Sequence, residues 1–262
     1  RVYISADLEG ISGITGRDQL SREGGGYDQA CRLMAKDVNA AVEGAFDGGA
    51  TEVVVNDAHS EMRNLRPEDV DSRARLVSGS PKPLGMMEGI DGGFDAAFFV
   101  GYHVRAASPG VLSHTLWGRV VYGLEVNGRP AGETALNAAL AGAFGVPVAL
   151  VTGDDAVGEE ARALLPGVHT VAVKEARGRT AALCLHPSEA QRLIRQAAAQ
   201  AMASVRGGTL RPFSFEPPGP VTLEIRLANP VMAELAALIP GTGASGGMAV
   251  HYAAPDLATA YR

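Results

Sequence analysis

The sequence predicts a three-layer α/β protein built on a mostly parallel sheet, with a smaller α+β subdomain following it. Strand-length apolar runs recur at residues 2–6, 52–56, 75–77, 96–101, 147–152 and 169–173, and most are apolar on both faces, as central parallel strands are. Segments of helical period stand between several of them. Beyond residue 205 the chain changes texture, to glycine- and proline-rich turns and alternating strands.

The first strand is followed by residues 27–46, where Leu33, Met34, Val38, Val42 and Phe46 recur on one side before Gly48 and Gly49 end the helix. Strand, helix, strand is the first crossover unit, and right-handed connections then give a Rossmann-like arrangement. Residues 133–144 and 156–165 read as further helices. Residues 120–126 alternate and run into Asn127-Gly128, the strongest two-residue hairpin signal, so an antiparallel insertion is expected near residues 113–130. A long helix over residues 186–205 closes the α/β part at 1–205. Residues 206–262 then supply a turn-rich connector around Pro212 and residues 217–220, a strand at 221–228, a short helix at 231–238 and a strand at 248–253. This small α+β unit is expected to be joined by the hairpin insertion.

Composition narrows function. The 262 residues carry 23 Lys and Arg against 29 Asp and Glu, a net charge of −6, which excludes the basic footprint that phosphate neutralisation requires. With 46% hydrophobic and 20% charged residues the chain is not disordered. Cys31 and Cys184 are expected to be buried thiols in a reducing compartment, which makes the cytoplasm the default address. The opening run meets an acid at Asp7 and does not read as a signal peptide, and residues 135–151 divide into helix and strand, so no membrane span is expected.

Residues able to ligate or ionise follow the expected parallel strands: Asp7 and Glu9 the first, Asn56, Asp57 and His59 the second, Tyr102 and His103 the run at 96–101, Asp154 and Asp155 the run at 147–152. In open α/β sheets the ligand crevice lies beyond the carboxyl ends of the strands, so these groups are expected to converge. Asp7 and Glu9, two apart in extended chain, share a side, and Gly10 lets the backbone turn at once. Taken singly, a D-x-E pair or a strand-end histidine is more simply a capped turn or a satisfied core group. Jointly, two carboxylates and two imidazoles form the oxygen and nitrogen set favoured by zinc and its neighbours. Glu133 either favours its helix dipole or adds a ligand, and spacing leaves both readings open. His114, in a loop between Pro109-Gly110 and Trp117-Gly118, is either an ordinary loop residue or an acid–base group. Gly241, Gly243 and Gly246 satisfy G-x-G-x-x-G, but strand and helix stand in the wrong order for a dinucleotide site. Ser113 and Cys31 lack the setting of a nucleophile.

The same residues resemble the M55 family of zinc D-aminopeptidases. The matching segments are Ser5-Ala6-Asp7-Leu8-Glu9-Gly10, Val55-Asn56-Asp57-Ala58-His59-Ser60, Gly101-Tyr102-His103, Ser108-Pro109-Gly110-Val111, Gly132-Glu133 and Gly153-Asp154-Asp155, in order and over nearly the whole chain. The resemblance implies metal ligands Asp7, Glu9, His59, His103 and Glu133 holding two zinc ions, with Asp7 as bridge and His114 as the catalytic residue. It further implies cleavage of the N-terminal residue of short peptides containing D-amino acids such as D-Ala, and a homodecamer of two stacked pentameric rings. From ligand chemistry alone, another dinuclear-metal hydrolase such as a phosphoesterase, or a non-catalytic peptide- or metal-binding protein, stays open, and the nearest candidate for an anion clamp is Arg105.

Overall fold

The computed structural model describes residues 1–215 and 219–262, so Pro217 and Pro218 of the expected connector lie outside the described residues. The chain runs β1 (Val2–Ala6), α1 (Tyr27–Asp47), β2 (Val53–Asp57), β3 (Ala74–Val77), β4 (Ala96–Tyr102), β5 (Val121–Val126), β6 (Arg129–Pro130), α2 (Glu133–Ala143), β7 (Val148–Asp154), α3 (Asp155–Leu164), β8 (His169–Gly178), β9 (Ala181–Cys184), α4 (Pro187–Arg206), β10 (Val221–Leu227), α5 (Pro230–Ala236), β11 (Thr242–Ala244), β12 (Ala249–Ala254) and α6 (Leu257–Tyr261).

The large sheet has the order β3-β2-β1-β4-β7-β8-β9, parallel throughout except for β9. Strands β1, β2, β4 and β7 are buried at every residue, as their two-faced apolar runs require. One face packs on α1 and α4 through Met34, Val38, Val42, Ile194, Ala198 and Ala201. The other packs on α2 and α3 through Ala138, Leu140, Ala141, Val157 and Ala161. The chain moves outward from β1 to β2 and β3, then returns to β4 on the opposite side. The carboxyl ends of β1 and β4 therefore flank the topological switch point.

The second sheet has the order β11-β12-β10-β5-β6. Asn127 and Gly128 both take positive φ, 51° and 75°, which is the primed turn that matches strand twist, and Val126 pairs with Arg129 across it. Helix α2 lies between the two sheets. Its alanines let both approach: Ala138 and Ala141 meet the large sheet, while Ala135, Leu136 and Ala139 meet Leu124, Val126, Val221 and Leu223 of the small one. Strand β9 and helix α6 carry no clear period and were not expected. Cys184 departs from expectation too: it is exposed, because β9 is an edge strand, while Cys31 is buried and both thiols are free.

A hydrogen-bond relay fixes α2 in this sandwich. Tyr261 of α6 donates to Asn137 Oδ1 (2.6 Å), Asn137 Nδ2 donates to Tyr102 Oη (2.8 Å), Tyr102 donates to Ser5 Oγ (2.7 Å), and Ser5 donates to the Met86 carbonyl (2.7 Å). Removing only the outer donor by Tyr261→Phe leaves the ring packing and strands Asn137 Oδ1. A loss of about 1 kcal/mol in urea unfolding is expected, and an unchanged midpoint would show that the relay contributes nothing at that end.

Candidate metal centre

The loops after β1 and β4 meet backbone to backbone, and two glycines make this possible. Gly10 donates its N–H to the Gly101 carbonyl at 2.7 Å, and a Cβ on Gly10 would stand 2.0 Å from the Tyr102 carbonyl oxygen. Gly101 has φ +77°, and a Cβ there would stand 2.2 Å from the Asp7 carbonyl oxygen. This contact draws Asp7 and Glu9 onto His103. Helix α2 brings Glu133 in its first turn, and the loop after β2 brings His59.

Asp7, Glu9, His59, His103 and Glu133 are all buried. His59 Nδ1 lies 3.2 Å from Asp7 Oδ1 and 2.9 Å from Glu9 Oε2, and His103 Nε2 lies 3.5 Å from Asp7 Oδ2 and 3.3 Å from Glu133 Oε2. His114 joins them: its ring stacks on His103 with centroids 4.1 Å apart, and its Nε2 lies 3.7 Å from Glu9 Oε1 and 3.9 Å from Glu133 Oε1. The ligating atoms form two groups, Asp7, Glu9 and His59 in one and His103, His114 and Glu133 in the other, each within 4.8 Å.

Backbone carbonyls set the tautomers, since a carbonyl can only accept. His59 donates from Nε2 to Leu20 (2.9 Å), His103 from Nδ1 to Val104 (3.0 Å) and His114 from Nδ1 to Leu112 (2.9 Å). The remaining nitrogen of each ring then faces the carboxylates, the arrangement that carbonyl-anchored metal ligands adopt once that nitrogen is deprotonated. Asp7 Oδ2, Glu9 Oε2 and His103 Nε2 are buried without a hydrogen-bond partner among the described residues, Glu9 Oε2 being near His59 but poorly aligned with it. Buried polar atoms left this way need a ligand. The donor set therefore fits a metal.

The electrostatics agree. Burial, and next Glu9, push Asp7 up to about 7. Burial opposes charge on Glu9 also, yet His59, His114 and His103 together hold it well below the usual range. Burial would lower His103, but Glu133, Asp7 and Glu9 raise it to about 10, and Glu9 and Asp7 likewise outweigh burial to raise His59 well above its ordinary value. Three buried carboxylates thus demand cationic charge beside them. His114 is lowered instead, by burial and then by His103.

Other strand-end residues support the cluster without joining it. Asp57 accepts the N–H of Asn64 (2.6 Å) and Leu65 (2.7 Å) and the Asn64 amide (2.8 Å), which in turn donates to the His59 carbonyl (2.8 Å). Asp154 caps α3 at Val157 (2.9 Å) and accepts from Val111 N–H (2.7 Å), tying down the segment that leads to His114. Asp155 accepts from Ala176 N–H in β8, and His251 lies on β12 of the other sheet, where its ring covers Gly243. The glycines at 241, 243 and 246 shape β11 and its turns, and burial pushes the Cys31 thiol up, the reverse of an activated nucleophile.

Two features escape sequence reasoning. Lys174, fully buried in β8, donates from Nζ to the carbonyls of Glu9 (2.6 Å), Ile11 (3.0 Å) and Ile14 (2.6 Å) and so shapes the loop that carries Glu9. In sequence it is one of several charges, with Glu175 and Arg177, that follow the apolar run at 169–173, and nothing marks it out. The second is a cavity of about 680 Å³ above the cluster, lined by arginines at 17, 119 and 179. Arg105 is not among them; it lines a separate, smaller cavity with Tyr122 and Arg226 and lies 3.7 Å from Glu160. Ser60, Met62, Leu112 and Leu116, with φ of 51°, 55°, 53° and 56°, all border the large cavity. Each left-handed residue costs about 1 kcal/mol, a concentration of strain typical of functional loops.

Lys174→Met removes three donors and strands three buried carbonyls. A loss of about 3 kcal/mol is expected in denaturant unfolding. A loss under about 1 kcal/mol would show that water replaces the ammonium without cost.

The M55 peptidase family, described as D-aminopeptidase, matches residues 1–262. A D-aminopeptidase of Bacillus subtilis (strain 168) is 40% identical over 266 residues, covering 100% of this chain and 94% of that protein. Among solved structures, the Zn-dependent D-aminopeptidase DppA from Bacillus subtilis, a self-compartmentalizing protease, superposes with a TM-score of 0.95 at 40% identity, covering 99% of this chain and 93% of that one. The chain belongs to the M55 D-aminopeptidase family and is a hydrolase of peptide bonds.

Proposed function

We propose that the protein is a zinc-dependent aminopeptidase that removes the N-terminal residue of short peptides, with preference for D-residues such as D-Ala, at a site holding two zinc ions. The carrying observation is the pair of clustered donor groups, whose carboxylate oxygens and inward-facing imidazole nitrogens converge at the floor of the cavity with Asp7 Oδ2, Glu9 Oε2 and His103 Nε2 buried and unpartnered among the described residues. Asp7, Glu9, His59, His103 and Glu133 would hold the metals, with Asp7, placed between His59 and His103, the shared ligand. Zinc bound there supplies a polarised carbonyl and a coordinated water whose pKa falls to about 7.

The chain's own groups do the rest. His114 is the least enclosed imidazole of the cluster, with 18% of its side chain exposed against 2% for His103, so it is the one that reaches substrate. Its Nδ1–H is fixed by Leu112, and its lowered pKa leaves Nε2 free to take a proton and hand it to the departing amine. Leu116 N–H donates to Glu133 Oε1 at 2.6 Å and aims that carboxylate. Leu112, Leu116, Met62, Met86 and Trp117 line the cavity as apolar walls for substrate side chains. Family membership sets the phosphoesterase and non-catalytic readings aside. We infer assembly into a homodecamer of two pentameric rings, supported by the self-compartmentalizing character of the structural relative. Two free cysteines accord with a cytoplasmic setting. Among the described residues no helix is long and apolar enough to cross a membrane.

Zinc analysis of the purified protein together with D-Ala and L-Ala p-nitroanilide assays tests the reading. Two zinc ions per chain and release from the D-form are expected, and Asp7→Ala is expected to lose metal and to lower turnover by a factor of about 100 or more. Full turnover in an Asp7→Ala protein that keeps both ions would refute the ligand assignment.

The pH dependence has a definite sign. In the metal-free protein His59, His103 and Asp7 have raised pKa values and hold protons near neutrality. Ligation needs the deprotonated forms, so zinc binding releases protons and tightens as the pH rises from about 6 toward about 10. Proton release on zinc addition to chelator-treated protein, followed with an indicator dye, measures this. No release would mean that these groups are not the ligands.

A further inference from the structure

The cavity above the cluster separates charge. Its floor is acidic, with the buried Asp7, Glu9 and Glu133, while its rim carries Arg17 from a short 3-10 helix and Arg119 and Arg179 from two turns. Glu61 is the rim's acid among the described lining residues, so three guanidinium groups face one carboxylate there. Arg179 is committed in part, donating from Nε and Nη2 to the Ser113 carbonyl at 3.3 and 3.0 Å. No side-chain hydrogen bond or ion pair engages Arg17 or Arg119 among the described residues, although the chain carries an excess of acids and pairs Arg1, Arg73, Arg192 and Arg195 with them. Guanidinium groups without partners at the mouth of a ligand-sized cavity are suited to a planar, anionic group of the ligand.

We propose that Arg17 and Arg119 form a carboxylate-binding subsite that receives the C-terminal carboxylate of a di- or tripeptide while its N-terminal residue occupies the acidic floor. This rests on the aminopeptidase reading and narrows its substrate class to very short peptides with a free C-terminus. Size supports it. A dipeptide spans about 7 Å, and a cavity of about 680 Å³ holds a small ligand of that class, not a folded chain. Charge supports it as well: the acidic floor with its metals takes the amino end, and the basic rim takes the acid end. The two termini of a short zwitterionic peptide therefore meet complementary fields, which fixes its direction of entry. Arg179, held by Ser113, fixes the loop beside His114 and adds positive potential without being the primary contact.

The test compares D-alanyl-D-alanine with its C-terminal amide on the zinc-loaded enzyme. The wild type is expected to show a KM for the acid lower than that for the amide by on the order of tenfold. Arg17→Ala and Arg119→Ala are each expected to raise KM for the acid several-fold with kcat nearly unchanged, to leave the amide unaffected, and to be partly rescued by lysine at the same position. Equal KM values for acid and amide in the wild type would overturn the subsite while leaving the aminopeptidase reading intact, and this comparison does not depend on the variants folding. Equal losses on both substrates in the variants would likewise overturn it. Failure to cleave either peptide, with D-Ala p-nitroanilide also intact, would bring down the aminopeptidase reading and the subsite with it.

Discussion

Three carboxylates, Asp7, Glu9 and Glu133, are buried within reach of one another at the end of a parallel sheet, and the structure around them is organised by that constraint. Burying one ionised group costs several kcal/mol even after relaxation, and burying like charges together costs more. The protein meets the cost with imidazoles whose other nitrogens are tied to backbone carbonyls, so that His59 and His103 turn toward the acids with no freedom to turn away. A divalent cation is a denser source of the same positive charge, and the same acids that raise these two histidines would favour it.

Such a cluster has to be held from outside, because its members repel. The switch point between β1 and β4 supplies the place, and the glycines at 10 and 101 let the two loops touch. Lys174 then fills the underside of the first loop with a positive charge that binds three carbonyls, while Asp37 of α1 accepts the N–H and hydroxyl of Ser12 in the same loop. On the other side, α2 cannot slide, since Asn137 lies one turn beyond Glu133 and is held by Tyr102 and Tyr261. The left-handed residues bordering the cavity are the cost of this fixing. They persist because the surrounding hydrogen bonds leave the loops no relaxed alternative.

The parallel strands and long helices were legible because their apolar period is local, and Asp7, Glu9, His59 and His103 stood out because each follows a strand whose end the fold brings to one crevice, while Glu133 opens α2 and its spacing left two readings open. What was not legible depends on partners far away in sequence. Lys174 reads as an ordinary charge in a strand, and its acceptors lie about 160 residues earlier. Asp57 and Asp154 are strand-end acids to which the sequence assigns no role, and they bind backbone N–H groups of the loops that carry His59 and lead to His114. Strand β9 is four residues long with a single half-buried position, too weak a pattern to stand out, and its exposure explains why Cys184 is not a core thiol. The arginines of the rim sit in a three-residue 3-10 helix and in turns, where no period marks them, and proximity to His103 in sequence pointed instead to Arg105, whose side chain turns to Glu160.

The same topology that gathers the acids also explains where the arginines stand. Loops leaving the carboxyl ends of neighbouring strands share one floor, so their first residues form the cluster and their later residues form the wall above it. Arg17 follows Glu9 in the first loop, and Arg119 follows His114 in the loop before β5. Each loop thus supplies a buried or half-buried acid or imidazole and, further along, an exposed guanidinium on the cavity wall. That separation of acidic floor from basic wall is the physical basis of the proposed direction of entry for a ligand with a positive amino end and a negative carboxyl end.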